Sequence, residues 1–140
     1  MKPRFIDAST FLYAVLEPIQ ELPEHLERIK SIAREIIIRV DEGENVVTSV
    51  VHLSEVANIL ESRKSFSESS QFIYDLLTKE SIMVLDVTHS DYQGATVLAQ
   101  RYKVGINDSL AKILMDRLNL TEIYSFDKHF DTFNLKRIME

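Results

Sequence analysis

The chain contains no cysteine, and that absence removes several chemistries at once. It excludes a disulfide framework, a thiolate zinc site and a cysteine nucleophile, and it fits a reducing, cytoplasmic setting. Glycine and proline are scarce, three of each in 140 residues, which excludes fibrous and low-complexity classes. No apolar run approaches the ~20 residues a membrane span needs, and "MKPRFID" lacks the apolar core of a signal peptide. Positive charge is also in deficit: 16 Lys and Arg against 22 Asp and Glu leave a net charge of -6. The balance argues against a broad basic surface for nucleic acid.

What is present is apolar content of 45%, enough at this length for one domain with a substantial core, residues 1–140. Short β-rich runs alternate with longer stretches of helical periodicity, the pattern of an α/β fold with a mostly parallel sheet. The first strand is read at Arg4–Asp7, followed by a short helix through Thr10–Leu16. Pro23 opens a second helix whose apolar stripe, Leu26, Ile29, Ile32, Ala33, Ile36, Ile37 and Val40, recurs at spacings of three and four and stops at Gly43. "NVVTSV" reads as a buried strand. A helix carrying Leu53, Val56, Ala57 and Leu60 then ends near Arg63-Lys64, and another runs from Ser67 to Lys79. "IMVLDV" is a third strand, and Thr88 or Ser90 caps the helix that follows. The helix "SLAKILMDRLNL" leads into "EIYSF", a fourth strand ending at Asp127, and "LKRIM" supplies a fifth.

In an open parallel sheet, ligands bind beyond the carboxyl ends of the strands, where the strand order reverses. Asp7 and Asp127 end the first and fourth strands, Asp108 opens the helix leading into the fourth, and Glu55 lies about a turn into the helix after the second. If strands one and four are neighbours, these four acids converge. Crowded carboxylates repel one another and are tolerated near neutral pH only when some hold protons or a cation neutralises them. Hard divalent ions, Mg²⁺ or Mn²⁺, suit an all-oxygen donor set.

Each acid also has a plain structural reading. Asp7 is a helix N-cap, with Ser9 and Thr10 as rival caps that would free it; Asn107 or Asp108 caps the "SLAKILM" helix. Glu55 falls outside its helix's main apolar stripe, as a solvated glutamate does, although Val51 and Ile59 flank it one turn away. Asp127 makes a side-chain turn, and Asp131 is a loop carboxylate. Capping and metal binding are compatible.

Taken as an ordered set, "FIDASTFLY", "VTSVVHLSEVANIL", "VGINDSLAKILM" and "IYSFDKHFD" resemble the motifs of the PIN-domain family, in particular the small stand-alone members typified by VapC-type toxins. The resemblance covers nearly the whole chain. It implies a three-layer α/β/α fold with a parallel sheet of four to five strands in the order 3-2-1-4-5. It implies a metal-dependent endoribonuclease, using Mg²⁺ or Mn²⁺ to hydrolyse RNA phosphodiester bonds to 5′-phosphate and 3′-hydroxyl ends. Asp7, Glu55, Asp108 and Asp127 match the family's acidic quartet, as catalytic residues and metal ligands. Ser9 matches the small polar residue two after the first acid, and Ser125 the one two before the last. Asn107 sits where the family varies and is read with these two as a supporting or substrate-contacting residue. The implied partners are RNA (tRNA, rRNA or mRNA), a small antitoxin protein and a second copy of the chain.

Two rivals remain at this stage. A non-catalytic PIN-like module for protein binding is disfavoured by the complete acid quartet. A receiver or phosphatase-like doubly wound domain wants paired acids or Asp-x-Asp at the end of strand one, where Asp7 is followed by Ala8-Ser9. Arg63, Lys64, Arg101, Lys103, Lys112 and Lys128 are candidate RNA contacts near the mouth of the site. His25, His52, His89 and His129 lack metal-type spacing and are read as structural or surface residues.

Overall fold

The computed structural model describes residues 2–139. Five strands, β1 (Arg4–Ile6), β2 (Val46–Ser49), β3 (Ile82–Leu85), β4 (Glu122–Tyr124) and β5 (Lys136–Ile138), form one sheet in the order 3-2-1-4-5. Every pairing is parallel, including β1 with β4 through Phe5 opposite Ile123 and Ile6 opposite Tyr124. The six α-helices are α1 (Ala8–Val15), α2 (Glu24–Asp41), α3 (Val50–Arg63), α4 (Phe66–Thr78), α5 (His89–Tyr102) and α6 (Ile106–Arg117). A short 3₁₀ helix spans Lys128–Phe133. The expected three-layer α/β/α fold and its strand order are those observed.

The layers follow from the period-two alternation of strands buried on both faces. Phe5, Val47 and Ile123 point to one side, where they pack with Ala95 of α5, Leu110 and Leu114 of α6, and Phe130. Ile6, Val46 and Tyr124 point to the other, against Phe11 of α1, Ile36 of α2, Val56 of α3 and Leu76 of α4. Two apolar cores thus clamp the sheet, and its carboxyl edge is where β1, β2 and β4 each hand the chain over to the next element.

Local chemistry sets the ends. Gly43 takes φ +115° immediately after α2, the left-handed position that ends a helix without steric cost. Lys30 of α2 donates to the carbonyls of Tyr13 (2.9 Å) and Leu16, covering orphan acceptors at the end of α1. Thr88 and Asp91 form a reciprocal capping box at the start of α5.

Several boundaries differ from the sequence reading. The first helix begins at Ala8 with Asp7 as its cap, so Ser9 and Thr10 lie inside the first turn rather than capping it. Neither Asn107 nor Asp108 caps α6: the helix starts at Ile106, three residues before the expected Ser109, and Gly105 occupies the cap with no side-chain bond. The fourth strand pairs only to Tyr124, and Asp127 lies three residues beyond it, heading the 3₁₀ helix. Pro23 stands at the cap of α2 rather than inside it. Among the described residues, no helix is long and apolar enough to cross a membrane.

Candidate active site

The handover from β1 to α1 places Asp7 in a buried position, 5% exposed, at the centre of the carboxyl edge. Its extended backbone (φ −82°, ψ 154°) lets Oδ1 accept from the N–H of Ala8 at 2.9 Å. Oδ2 accepts from the hydroxyls of Ser9 (3.0 Å) and Ser125 (2.9 Å). Asp7 is thus both a cap and a site residue. Ser125 joins two acids, since its Oγ donates to Asp7 and accepts from the Asp127 N–H at 3.0 Å. Parallel pairing of β1 with β4 is what brings residues 7 and 125 together across the chain.

Asp127 caps the 3₁₀ helix by accepting from the His129 N–H at 2.9 Å. That turn folds the His129 ring back over the cluster, with Nδ1 3.1 Å from Asp127 Oδ1 and 3.5 Å from Asp108 Oδ2. One ligand atom from each of Asp108, Asp127 and His129 lies within 4.8 Å of the others. Asp108, in the first turn of α6, joins this group with Gly105 close beside it: a Cβ at residue 105 would stand 3.4 Å from Asp108 Oδ2, at the edge of ordinary van der Waals contact. Glu55 of α3 stands at the rim, where Asn107 Nδ2 donates to its Oε1 at 2.9 Å.

The electrostatics follow from burial. Loss of water pushes the Asp108 carboxyl up to about 7, and the charges of Asp127, Asp7 and Glu55 add to that, while His129 opposes them. Burial also raises Asp7, against the hydrogen bonds from Ser125, Ser9 and Ala8 that favour its ionised form; Asp127 adds repulsion. Negative charge therefore accumulates here beyond what one imidazole can balance. The donor set of carboxylate oxygens with one ring nitrogen fits a divalent cation.

Behind Glu55 lies His52, fully buried in α3 and lowered in pKa by desolvation. Neutral, it has one ring N–H, and the Asn107 carbonyl, 2.9 Å from Nε2, can only accept, so Nε2 carries the proton. Nδ1 then accepts from Ser49 Oγ at 2.6 Å. The ring packs edge-on against Phe5, centroids 5.1 Å apart. Tyr92 of α5 donates its hydroxyl to Asn107 Oδ1 at 3.0 Å.

The structure thus brings Asp7, Asp108, Asp127, Ser9 and Ser125 to one place and links Glu55 to it through Asn107. Asp131 pairs with Arg137 at 2.8 Å, away from the cluster. The candidate cations divide. Lys128 adjoins Asp127 and lines a groove of about 830 Å³ with Arg4, Phe126, Lys136 and Arg137. Arg63 donates to the Glu17 carbonyl (2.7 Å) and Lys112 pairs with Asp116 (2.9 Å). Arg101 and Lys103 lie at the far end of α5, at least about 13 Å along the axis from Tyr92. Two residues escaped the sequence reading. His129, read as structural or surface, is exposed yet faces the acids, a position signalled only by its place two after Asp127. Tyr92 reaches the site by tertiary contact alone.

A parallel 3-2-1-4-5 sheet with helices on both faces and acids gathered at its carboxyl edge defines the class as a three-layer α/β/α domain with a candidate acid site. Residues 4–135 match the PIN domain model, and the chain belongs to the PIN domain family. Among solved structures it is similar to the sarcin-ricin loop cleaving toxin VapC20 of Mycobacterium tuberculosis, at 16% identity and TM-score 0.75, over 97% of this chain and 98% of that one. It is also similar to PAE2754 of Pyrobaculum aerophilum, at 13% identity and TM-score 0.63, over 97% and 87% of the two chains. No curated protein sequence matches it.

Proposed function

We propose that this chain is a divalent-cation-dependent endoribonuclease and the toxin of a toxin-antitoxin pair. The observation that carries the catalytic reading is the convergence of Asp7, Asp108 and Asp127, with burial and mutual repulsion holding Asp108 at about 7. Asp7, Asp108 and Asp127 would hold a divalent cation, with His129 beside them and Glu55 on the α3 side. Mg²⁺ or Mn²⁺ there supplies charge neutralisation at the phosphoryl group and a lowered pKa for the attacking water.

The chain's own residues supply position and protons. Ser9 and Ser125 orient Asp7 and favour its ionised form through charge-assisted hydrogen bonds, opposing the burial that raises its pKa. Glu55, held by Asn107 through one oxygen, keeps the other for a water or a cation. Lys128, next to Asp127 in sequence, gives a net-acidic protein a local cation for an RNA backbone, at a groove whose Arg4, Lys136 and Arg137 are paired with Glu122 and Asp131.

The toxin reading draws on an apolar groove of about 510 Å³ that opens at Ser9 and is lined by Leu12, Tyr13, Leu16, Ile19 and Ile59. A protein segment lying there would pass Ser9, the partner of Asp7, as an inhibitory antitoxin tail would. Further exposed apolar residues on the helices, such as Phe66, Tyr74 and Leu77 of α4, fit a homodimer in the cytoplasm.

The test is cleavage of tRNA and rRNA with mapping of the product ends. The wild type is expected to cut in Mg²⁺ or Mn²⁺, not in EDTA, leaving 5′-phosphates. Asp7→Asn and Asp108→Asn are each expected to lower the rate at least 100-fold with folding intact. Undiminished cutting in both variants would overturn the assignment.

A further inference from the structure

Resting on the metal-nuclease reading, we infer that His52, Asn107 and Tyr92 form a positioning device that sets where Glu55 stands relative to Asp108. Glu55 and Asp108 belong to α3 and α6, and these helices flank opposite faces of the sheet. Glutamate has three rotatable bonds, so a Glu55 side chain at the rim samples many positions unless something holds it.

Asn107 holds it. Its side chain spans from the Tyr92 hydroxyl on α5 to the Glu55 carboxylate on α3, using its acceptor for one (3.0 Å) and a donor for the other (2.9 Å). Its backbone carbonyl accepts from His52 Nε2 (2.9 Å), which ties the first turn of α6 to α3 a second time, three residues before Glu55. His52 is itself locked, fully buried against Phe5 and bonded to Ser49 at the end of β2. The neighbour in sequence of Asn107 is Asp108, so whatever fixes residue 107 fixes both acids in one frame. His52 is fully buried, and in this device all three residues act through Glu55 or Asp108. Partners of this kind typically affect metal affinity or activity by about 10–100-fold.

The test compares Asn107→Ala, His52→Phe and His52→Gln with the wild type. Single-turnover RNA cleavage is read in Mn²⁺, oligonucleotide affinity in EDTA, and Mn²⁺ affinity by loss of the free-ion paramagnetic signal. Asn107→Ala is expected to lower the cleavage rate or Mn²⁺ affinity about 10–100-fold with RNA affinity within about threefold of wild type. His52→Phe keeps the aromatic packing but loses the bond to residue 107, and is expected to fall in the same way. His52→Gln, whose amide can donate to the Asn107 carbonyl, is expected to recover most of the loss. Wild-type cleavage and Mn²⁺ affinity in Asn107→Ala would overturn the device, as would equal behaviour of the two His52 variants at equal melting temperature. A wild-type chain that neither binds Mn²⁺ nor cuts RNA would instead overturn the metal-nuclease reading on which the device rests.

Discussion

At the scale of single residues, Ser125 shows how one hydroxyl serves two acids. By donating to Asp7 and accepting from the Asp127 N–H, it satisfies a buried carboxylate and pins the turn that carries the next one. Ser125→Ala leaves Asp7 with one bond fewer in a buried setting, a loss of about 1–3 kcal/mol. The same change raises the Asp7 pKa further, because a bond favouring the ionised form has gone. The expected outcome is a lower melting temperature and Mn²⁺ binding weakened several-fold at pH 6, with part of the binding recovered at pH 8. Ser9→Ala is expected to do less, since Ser9 bonds Asp7 alone. Thermal melts and Mn²⁺ titrations at the two pH values check both.

At the scale of elements, the junctions matter more than the lengths. Lys30 docks α2 onto the end of α1, so Lys30→Met leaves two carbonyls without their cation and is expected to cost about 1–2 kcal/mol, read by urea unfolding. The strands and helices were legible because period-two and period-3.6 patterns are local, and the acids and Ser9 and Ser125 were legible as an ordered set of motifs. The caps were less so. In "GIND" two good capping residues stand side by side, yet the helix starts earlier, and this frees the Asp108 side chain to face the acid cluster instead of its own backbone. The links from Asn107 to Glu55, His52 and Tyr92 span 52, 55 and 15 residues. No spacing rule covers such separations, because packing of α3, α5 and α6 alone creates them.

At the scale of the whole molecule, a protein of net charge -6 concentrates acid at one edge of its sheet and spreads its cations elsewhere. That arrangement has a pH signature. Between the unfolded carboxyl value of about 4 and the folded value of about 7 for Asp108, the folded chain keeps a proton that the unfolded chain has lost. Stability without metal therefore falls as pH rises through that window and levels off above it. Asp108→Asn removes the Asp108 share of the slope, leaving that of Asp7, and is expected to stabilise the metal-free protein at pH 8 by on the order of 1–3 kcal/mol, after allowance for the partial exposure of the site. A divalent cation works in the opposite direction, binding more tightly as the proton leaves.

The most direct test of the acid cluster as a cation site is a calorimetric titration of Mn²⁺ into wild type and Asp108→Asn at pH 6.5, in two buffers of different ionisation enthalpy. The wild type is expected to bind saturably with net proton release, and Asp108→Asn to bind at least 100-fold more weakly with that release reduced. Equal affinity in the two proteins, or binding without proton release, would contradict the cation-site reading.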